Sequence, residues 1–402
     1  MKKRLQKIAS LALAGAMVLS LTACGGSGGS GDTGENGSGD FKSAKIAVCL
    51  YGDGDTMSKS IENYVNTLGE AMNIDVSYAV FSQQDEAANV ATVQQLISSG
   101  VDGIIATTDL GTEAIIEECE AAGVYYAGYR CDFESSYTNA NEAVFGSDVF
   151  LGAVADGELM DEVTLGEIYF DSLLEYNEAH PDAPLDHVAV NMFPSYAFPT
   201  QVKAVEQLMA AAEEYNATAT TPITVDPLDE AVDVLQFAPL DSTYFSKHPD
   251  IDAIMSFASG IVFTYPTMVT AGVDSQIKLF TNDYDVSIAE NFGSNGTQTV
   301  QQIIASPLES IAYPLVLMVN KINGVEFSDM PETAERISSS LLVVNSDEDM
   351  EKMLNNLYST GDPASATLSA EDVVNLTAVA NPDATYADLV ETVQSITIDT
   401  VE

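Results

Sequence analysis

The sequence predicts an α/β protein built as two doubly wound parallel-sheet domains. Three observations lead there. From Lys45 onward, short apolar runs alternate with segments of helical period. The runs are almost continuously apolar, as strands buried on both faces require. The alternation occurs twice in a chain of 402 residues, a length that suits two domains better than one.

In the first set, KIAVCLY (45–51) reads as a strand. Residues 58–72 place Ile61, Tyr64, Val65, Leu68 and Met72 on one helical face. DVSYAVF (75–81) is a strand, and residues 85–98 form a helix with Val90, Val93, Leu96 and Ile97 inward and Gly100 as its stop. VDGIIAT (101–107) is followed by a helix over 111–122, and VYYAGYR (124–130) is the next strand. The second set opens with a helical stretch at about 149–178. DHVAVNMF (186–193), a helix at 199–215, TPITVD (221–226), a largely helical 228–247 and IDAIMSF (251–257) follow. A helix at 261–271, QIKLFTND (276–283), a short helix at 285–292, TQTVQQII (297–304), a helix at 307–322 and the late strand LLVVN (341–345) complete it. Residues 360–402 have helical or mixed spacing, and their role is left open between packing on the body and facing a partner. In open parallel sheets, ligands bind outside the carboxyl ends of the strands. Here those ends are the loops after Tyr51, Phe81, Thr107, Arg130, Phe193, Phe257 and Asp283.

The chain begins with a basic n-region (Lys2, Lys3, Arg4, Lys7), an apolar run over 8–21 and Leu21-Thr22-Ala23-Cys24. This is a secretory leader, too short for a stable membrane span. The small residue before Cys24 resembles a bacterial lipobox, which implies cleavage before Cys24 and a lipid on its thiol. Residues 25–40 are almost wholly Gly, Ser and small polar residues, a flexible tether.

The formal net charge is −47, and loss of the basic leader makes it more negative. Such a surface repels phosphate backbones, so nucleic acid is excluded as a partner. Four cysteines make no disulfide framework, and pairing of Cys119 with Cys131 stays open. Cysteine spacing and the three histidines give no metal site. There is no G-x-G-x-x-G after the first strand and no G-x-x-x-x-G-K-[ST], so no nucleotide cofactor is expected. His180, His187 and His248 lie in Pro-containing turns away from the cleft loops, so no general base or nucleophile with a partner is visible and no enzyme is expected.

In order, SQQDEAANVATVQQLISSGVDGIIATT (82–108), AGVYYAGYR (122–130), FGSD (145–148), HPDIDAIMSFAS (248–259) and LFTNDYD (279–285) resemble the sugar-type (type I, ribose-binding-protein-like) periplasmic binding proteins of ABC transporters. The resemblance covers roughly 44–345. It implies two Rossmann-like lobes joined by a three-strand hinge, with crossings near Ser147, Ser306 and 335–340. The implied organisation is a leader (1–23), a lipidated Cys24 with its linker (24–43), one lobe from 44–147 plus 307–335, a second from 148–306 plus 336–358, and an extension (359–402). It also implies a monomer on the extracytoplasmic face of a Gram-positive-type membrane. That monomer would bind a small molecule, of saccharide class, for an ABC permease.

The family's ligand positions fall here one by one. Its Asp-Arg pair after the fourth strand is Tyr129-Arg130, with the Arg kept. The Asp closing its later strand matches Asp283, and the polar residue after its third strand matches Thr107. Its helix-start Arg falls on Gln201, its hinge Gln on Ser306, and its Asn-Asp after the "FA" strand on Ala258-Ser259. The first loop has Asp53 and Asp55 in place of Asn-Pro and stacking aromatics. With no Trp in the chain, ring stacking falls to Tyr51, Tyr129 and Tyr196. These departures leave other ligands open: a nucleoside, an autoinducer or a cationic metabolite, or ligand sensing for a membrane kinase. For Arg130 the alternative is a structural salt bridge. For Asp53, Asp55 and Asp283 it is helix capping, for Tyr196 a packed loop aromatic, and for Gln201 an ordinary first-turn helix position.

Overall fold

A computed structural model describes residues 41–401 except 132, 134–141, 160–163, 197 and 237–238. The leader, Cys24 and the whole tether (25–40) lie outside the described residues.

Residues 41–401 hold two sheets. The first alternates β1 (Ala44–Leu50), α1 (Thr56–Ala71), β2 (Ile74–Val80), α2 (Glu86–Ser99), β3 (Gly103–Ala106), α3 (Thr112–Ala122), β4 (Tyr125–Tyr129) and β5 (Phe150–Ala155). The second lobe begins with α4 (Leu165–Ala179), β6 (His187–Met192), α5 (Pro199–Asn216), β7 (Thr224–Val225) and β8 (Val232–Asp233). It continues through α6 (Ser242–Lys247), β9 (Ala253–Ser256), α7 (Gly260–Phe263), α8 (Tyr265–Ala271), β10 (Lys278–Asn282) and β11 (Val300–Ala305). Next come α9 (Ala312–Asn323), β12 (Arg336–Ser338), β13 (Leu342–Val344) and the C-terminal helices α10 (Asp347–Asn355), α11 (Leu357–Thr360), α12 (Ala370–Asn375) and α13 (Tyr386–Gln394).

The first sheet has the order β12-β5-β4-β3-β1-β2 and is parallel throughout. The second has the order β13-β11-β10-β9-β6-β7, with β8 also pairing with β6. In it β13 runs antiparallel to β11. The chain passes between the sheets three times: after Ala155, after Ala305, and between Ser338 and Leu342. Ser306 Oγ, at the second passage, accepts from Gly157 N (3.1 Å) at the first, and Ser339 Oγ, at the third, accepts from the same N–H (3.0 Å). One amide thus ties all three passages together.

Several expectations are corrected. The first passage is not near Ser147, because Phe150–Ala155 is a buried parallel strand between β4 and β12. A short apolar run bounded by a polar loop suits a strand as well as the start of a helix, and here the helix begins only at Leu165. Among the described residues of 228–247, only 228–230 and 242–247 are helical. Residues 285–292 are a 3-10 turn rather than an α-helix. Cys119 and Cys131 serve separate places: Cys119 is a core thiol whose pKa burial pushes up to about 12, and Cys131 Sγ donates to Ala106 O (3.3 Å).

The C-terminal segment belongs to the body. α9 is buried from Ala312 to Asn320 on every side. A helix apolar all round must be covered all round. The first sheet covers one side, through β4 and β5, and α12 and α13 cover another. Tyr386 fixes the docking: its N–H donates to Asp329 Oδ1 (2.7 Å) and its hydroxyl donates to Glu335 Oε2 (2.9 Å). Among the described residues no helix is long and apolar enough to cross a membrane.

Candidate functional site

The carboxyl ends of the strands of both sheets converge on a cavity of about 280 Å³ between the lobes. Tyr51, Asp55, Thr56, Met57 and Arg130 line it from the first lobe. Ser259, Ile261 and Val262 after β9, and Asp283–Val286 after β10, line it from the second. Tyr358 of α11 closes one side.

Three polar lining residues share an unusual backbone. Arg130, Ser259 and Asp283 have φ of 60°, 46° and 62°, the left-handed region that non-glycine residues rarely adopt. Arg130 and Asp283 follow the last residues of β4 and β10 directly. Strain of this kind persists only where the surroundings fix it, and here it turns three polar side chains to one space. Ser259 Oγ donates to Asp283 Oδ2, and Ser259 N donates to Asn282 Oδ1 (2.9 Å).

Arg130 is buried, and its Nη2 lies 2.9 Å from Asp156 Oδ2. Its Nη1 points at Met57 Sδ (3.3 Å), and its Nε has no hydrogen-bond partner among the described residues. Burial works against the guanidinium charge, but Asp156 together with Tyr358, Tyr129 and Asp283 outweighs it and holds the pKa above the ordinary value. Burial lifts the Asp156 carboxyl above its usual value, against the pull of Arg130. Ser306 also hydrogen-bonds that carboxyl. Behind it, Glu158 is buried beside Asp283 and Asp156, and burial plus these two charges raises its pKa well above the carboxylate range. Glu158 Oε2 accepts from Asn282 Nδ2 (2.7 Å), while Oε1 has no hydrogen-bond partner among the described residues.

The walls are tyrosine. Tyr51 OH donates to Arg130 O (3.3 Å). Tyr358 and Tyr284 meet edge to face, ring centroids 5.4 Å apart at 88°. Burial raises the Tyr51 and Tyr358 hydroxyl pKa values well above normal, so both stay neutral. Rings at edge-to-face geometry, with a few fixed polar groups, suit a small ligand that has both C–H faces and hydroxyls. Among the described residues no group of three or more His, Cys, Asp or Glu is placed to hold a metal ion.

Of the sequence-derived candidates, Tyr51, Asp55, Arg130, Ser259 and Asp283 line the cavity. Asp55 also caps α1: Ser58 N and Oγ donate to its carboxylate (2.8 and 2.6 Å). Burial opposes its ionisation, but these bonds hold its pKa below the usual value. Ser306 sits at the hinge rather than in the wall. The remaining five are placed elsewhere. Asp53 is exposed outside the cavity. Thr107 is buried, and its hydroxyl donates to Cys49 O (2.9 Å). Tyr129 alternates to the opposite face of β4, where its hydroxyl donates to Leu308 O (3.0 Å). Tyr196 is 83% exposed. Gln201 is a buried loop tie: Oε1 accepts from Phe193 N (2.9 Å) and Nε2 donates to Phe257 O (2.5 Å). Sequence reasoning does not single out Met57, Tyr284, Glu158 or Tyr358. Tyr284 neighbours Asp283, so the strand-end rule reaches it; Tyr358 follows no strand, and no local signal places it.

No protein-family model matches the sequence, and no curated protein sequence does. Solved structures do match the fold. An ABC transporter periplasmic solute binding protein from Actinobacillus succinogenes 130z with bound D-allose is 15% identical, with a TM-score of 0.56 over 77% of this chain and 99% of that one. A solute binding protein from Agrobacterium vitis bound with alpha-D-tagatopyranose is 16% identical, with a TM-score of 0.54 over 76% and 95%. A galactofuranose binding protein is 13% identical, with a TM-score of 0.54 over 79% and 99%. At these identities the likeness establishes the fold: two α/β domains with parallel-sheet cores, that of type I sugar-binding ABC solute-binding proteins.

Proposed function

We propose that this protein is an extracytoplasmic receptor that captures one small polar molecule, a saccharide, between its lobes and passes it to an ABC permease. The observation that carries this reading is the interlobe cavity where Arg130, Ser259 and Asp283 converge between the rings of Tyr51, Tyr284 and Tyr358. A charged donor and a charged acceptor read hydroxyls in fixed directions, and the rings cover the apolar C–H faces. Closure about the three passages after Ala155, Ala305 and Ser338 would seal the ligand and present both lobes to a partner. The protein acts as a monomer and performs no covalent chemistry. Its likeness in fold to structures solved with D-allose and tagatopyranose supports the ligand class.

The leader and Cys24 support a lipid anchor, with the tether holding the body off the membrane. Loss of the Cys24→Ser chain from the membrane fraction would agree; unchanged membrane retention would remove the anchor from the reading.

The deciding experiment is calorimetric titration of the full chain in detergent with pentoses, hexoses and disaccharides, beside nucleosides and amines. Saturable binding of a sugar is expected. Binding of nucleosides alone would replace the ligand class. A second reading, an amine-bearing ligand, has one observation in its favour. Asp55, Asp283 and Asp285 line the cavity, whereas Arg130, the one lining cation among the described residues, is already paired with Asp156. In the same titration, binding of amines without sugars would favour it.

A further inference from the structure

The C-terminal segment does more than cover α9. It starts on the second lobe, where Ser294 N donates to Asp347 Oδ1 (3.0 Å) and α10 packs against β13. It then crosses to the first lobe, where Asn63 Nδ2 donates to Gly361 O (2.8 Å) and Tyr64 OH donates to Leu368 O (2.7 Å). Between these attachments it delivers Tyr358 to the cavity. That residue is 3% exposed and touches both lobes. Its hydroxyl lies 3.5 Å from Met57 Sδ, the sulfur that Arg130 Nη1 also faces at 3.3 Å, and its ring meets Tyr284. The next residue repeats the link, with Ser359 Oγ 2.7 Å from Tyr284 OH.

We infer that Tyr358 is a specificity-determining residue: it forms the wall that limits the cleft to a single-ring ligand. The inference rests on the receptor reading above. With the ring in place the cavity is about 280 Å³, at the bottom of the range of small-molecule sites, ~300–1,000 Å³. Without the ring, its volume joins the cavity. The solved structures are covered over 95–99% of their length but match only 76–79% of this chain. The first 40 residues account for less than half of that shortfall, so the described body carries segments those proteins lack.

The test compares Tyr358→Ala and Tyr358→Phe with wild type in the full chain, each checked by its melting curve. In the sugar titration, Tyr358→Ala is expected to bind disaccharides that wild type rejects. Tyr358→Phe, which keeps the ring, is expected to keep wild-type size selection. If wild type binds a monosaccharide and Tyr358→Ala rejects the same disaccharides as wild type, the inference is overturned while the receptor reading stands. A second arm needs no ligand. Ser259→Cys is placed in the wild-type chain and in each variant, and small and bulky methanethiosulfonates are compared for their rates of reaction above the parent without that cysteine. The bulky reagent is expected to be excluded where position 358 keeps its ring, in the Tyr358 and Tyr358→Phe chains, and admitted in Tyr358→Ala. Equal size discrimination in all three overturns the inference even if no sugar binds, and that failure of sugar binding would count against the receptor reading alone. Should Tyr358→Ala not fold, Tyr358→Leu takes its place under the same expectations.

Discussion

Arg130 and Asp156 form a buried ion pair, Nη2 to Oδ2 at 2.9 Å, that joins the cleft end of β4 to the first passage between the lobes. A lining residue of the cavity is thereby wired to the hinge. Ser306 extends the connection by hydrogen-bonding Asp156 and accepting from Gly157 N. Removing one partner of a buried pair strands the other charge, at a cost of about 3–5 kcal/mol. Arg130→Ala should therefore lower stability by that order and abolish binding. The double variant Arg130→Met/Asp156→Leu should recover much of the stability without binding. Denaturant unfolding checks the first and titration the second. Equal stability of Arg130→Ala and wild type would mean the pair is not buried as described.

Asp283 allows a cleaner separation of binding from folding. Asn tolerates the left-handed backbone that Asp283 adopts, and it fills the same space. Asp283→Asn should keep the melting temperature and weaken saccharide binding roughly ten- to hundredfold, the loss of a hydrogen bond to a charged acceptor. Unchanged affinity would move the acceptor role to another lining group.

Glu158 gives the stability a pH dependence of definite sign. Burial beside Asp283 and Asp156 raises its folded pKa above the unfolded carboxyl value. Its stabilising contribution is then complete below the unfolded value, about 4.3, and is lost as pH rises through the folded one. Glu158→Gln cannot ionise. It should melt with wild type near pH 4 and above wild type at pH 8, with the gap opening between. A constant gap at all pH values would show that Glu158 does not titrate differently in the folded state.

The alternation of apolar runs and helices made both sheets legible, because strands buried on two faces leave a continuous apolar signature. The strand-end rule then reached Tyr51, Arg130 and Asp283, since one residue past a strand is fixed by the strand itself. It failed where side-chain direction decides. Tyr129 and Arg130 are adjacent, yet Tyr129, the last residue of β4, turns into the core, and the left-handed backbone of Arg130 turns it to the cleft. It failed again at Phe150–Ala155, where six apolar residues fit a strand or a helix equally well. Tyr358 was beyond reach because its place depends on how residues 345–401 cross from one lobe to the other. The all-round apolar AYPLVLMV of α9 was the legible hint that something must cover it.

That cover makes the last expectation quantitative. Leu389 of α13 is fully buried in the cluster that contains α9 and the first sheet. Truncating a buried leucine costs about 2–5 kcal/mol, the larger figure where the site cannot collapse. If α12 and α13 are part of the first lobe's core, Leu389→Ala should lower the unfolding free energy by that amount in one cooperative transition. If the segment were a separately attached appendage, the variant would instead release it locally. Proteolysis would then trim the chain near residue 361 while the body kept its wild-type melting curve.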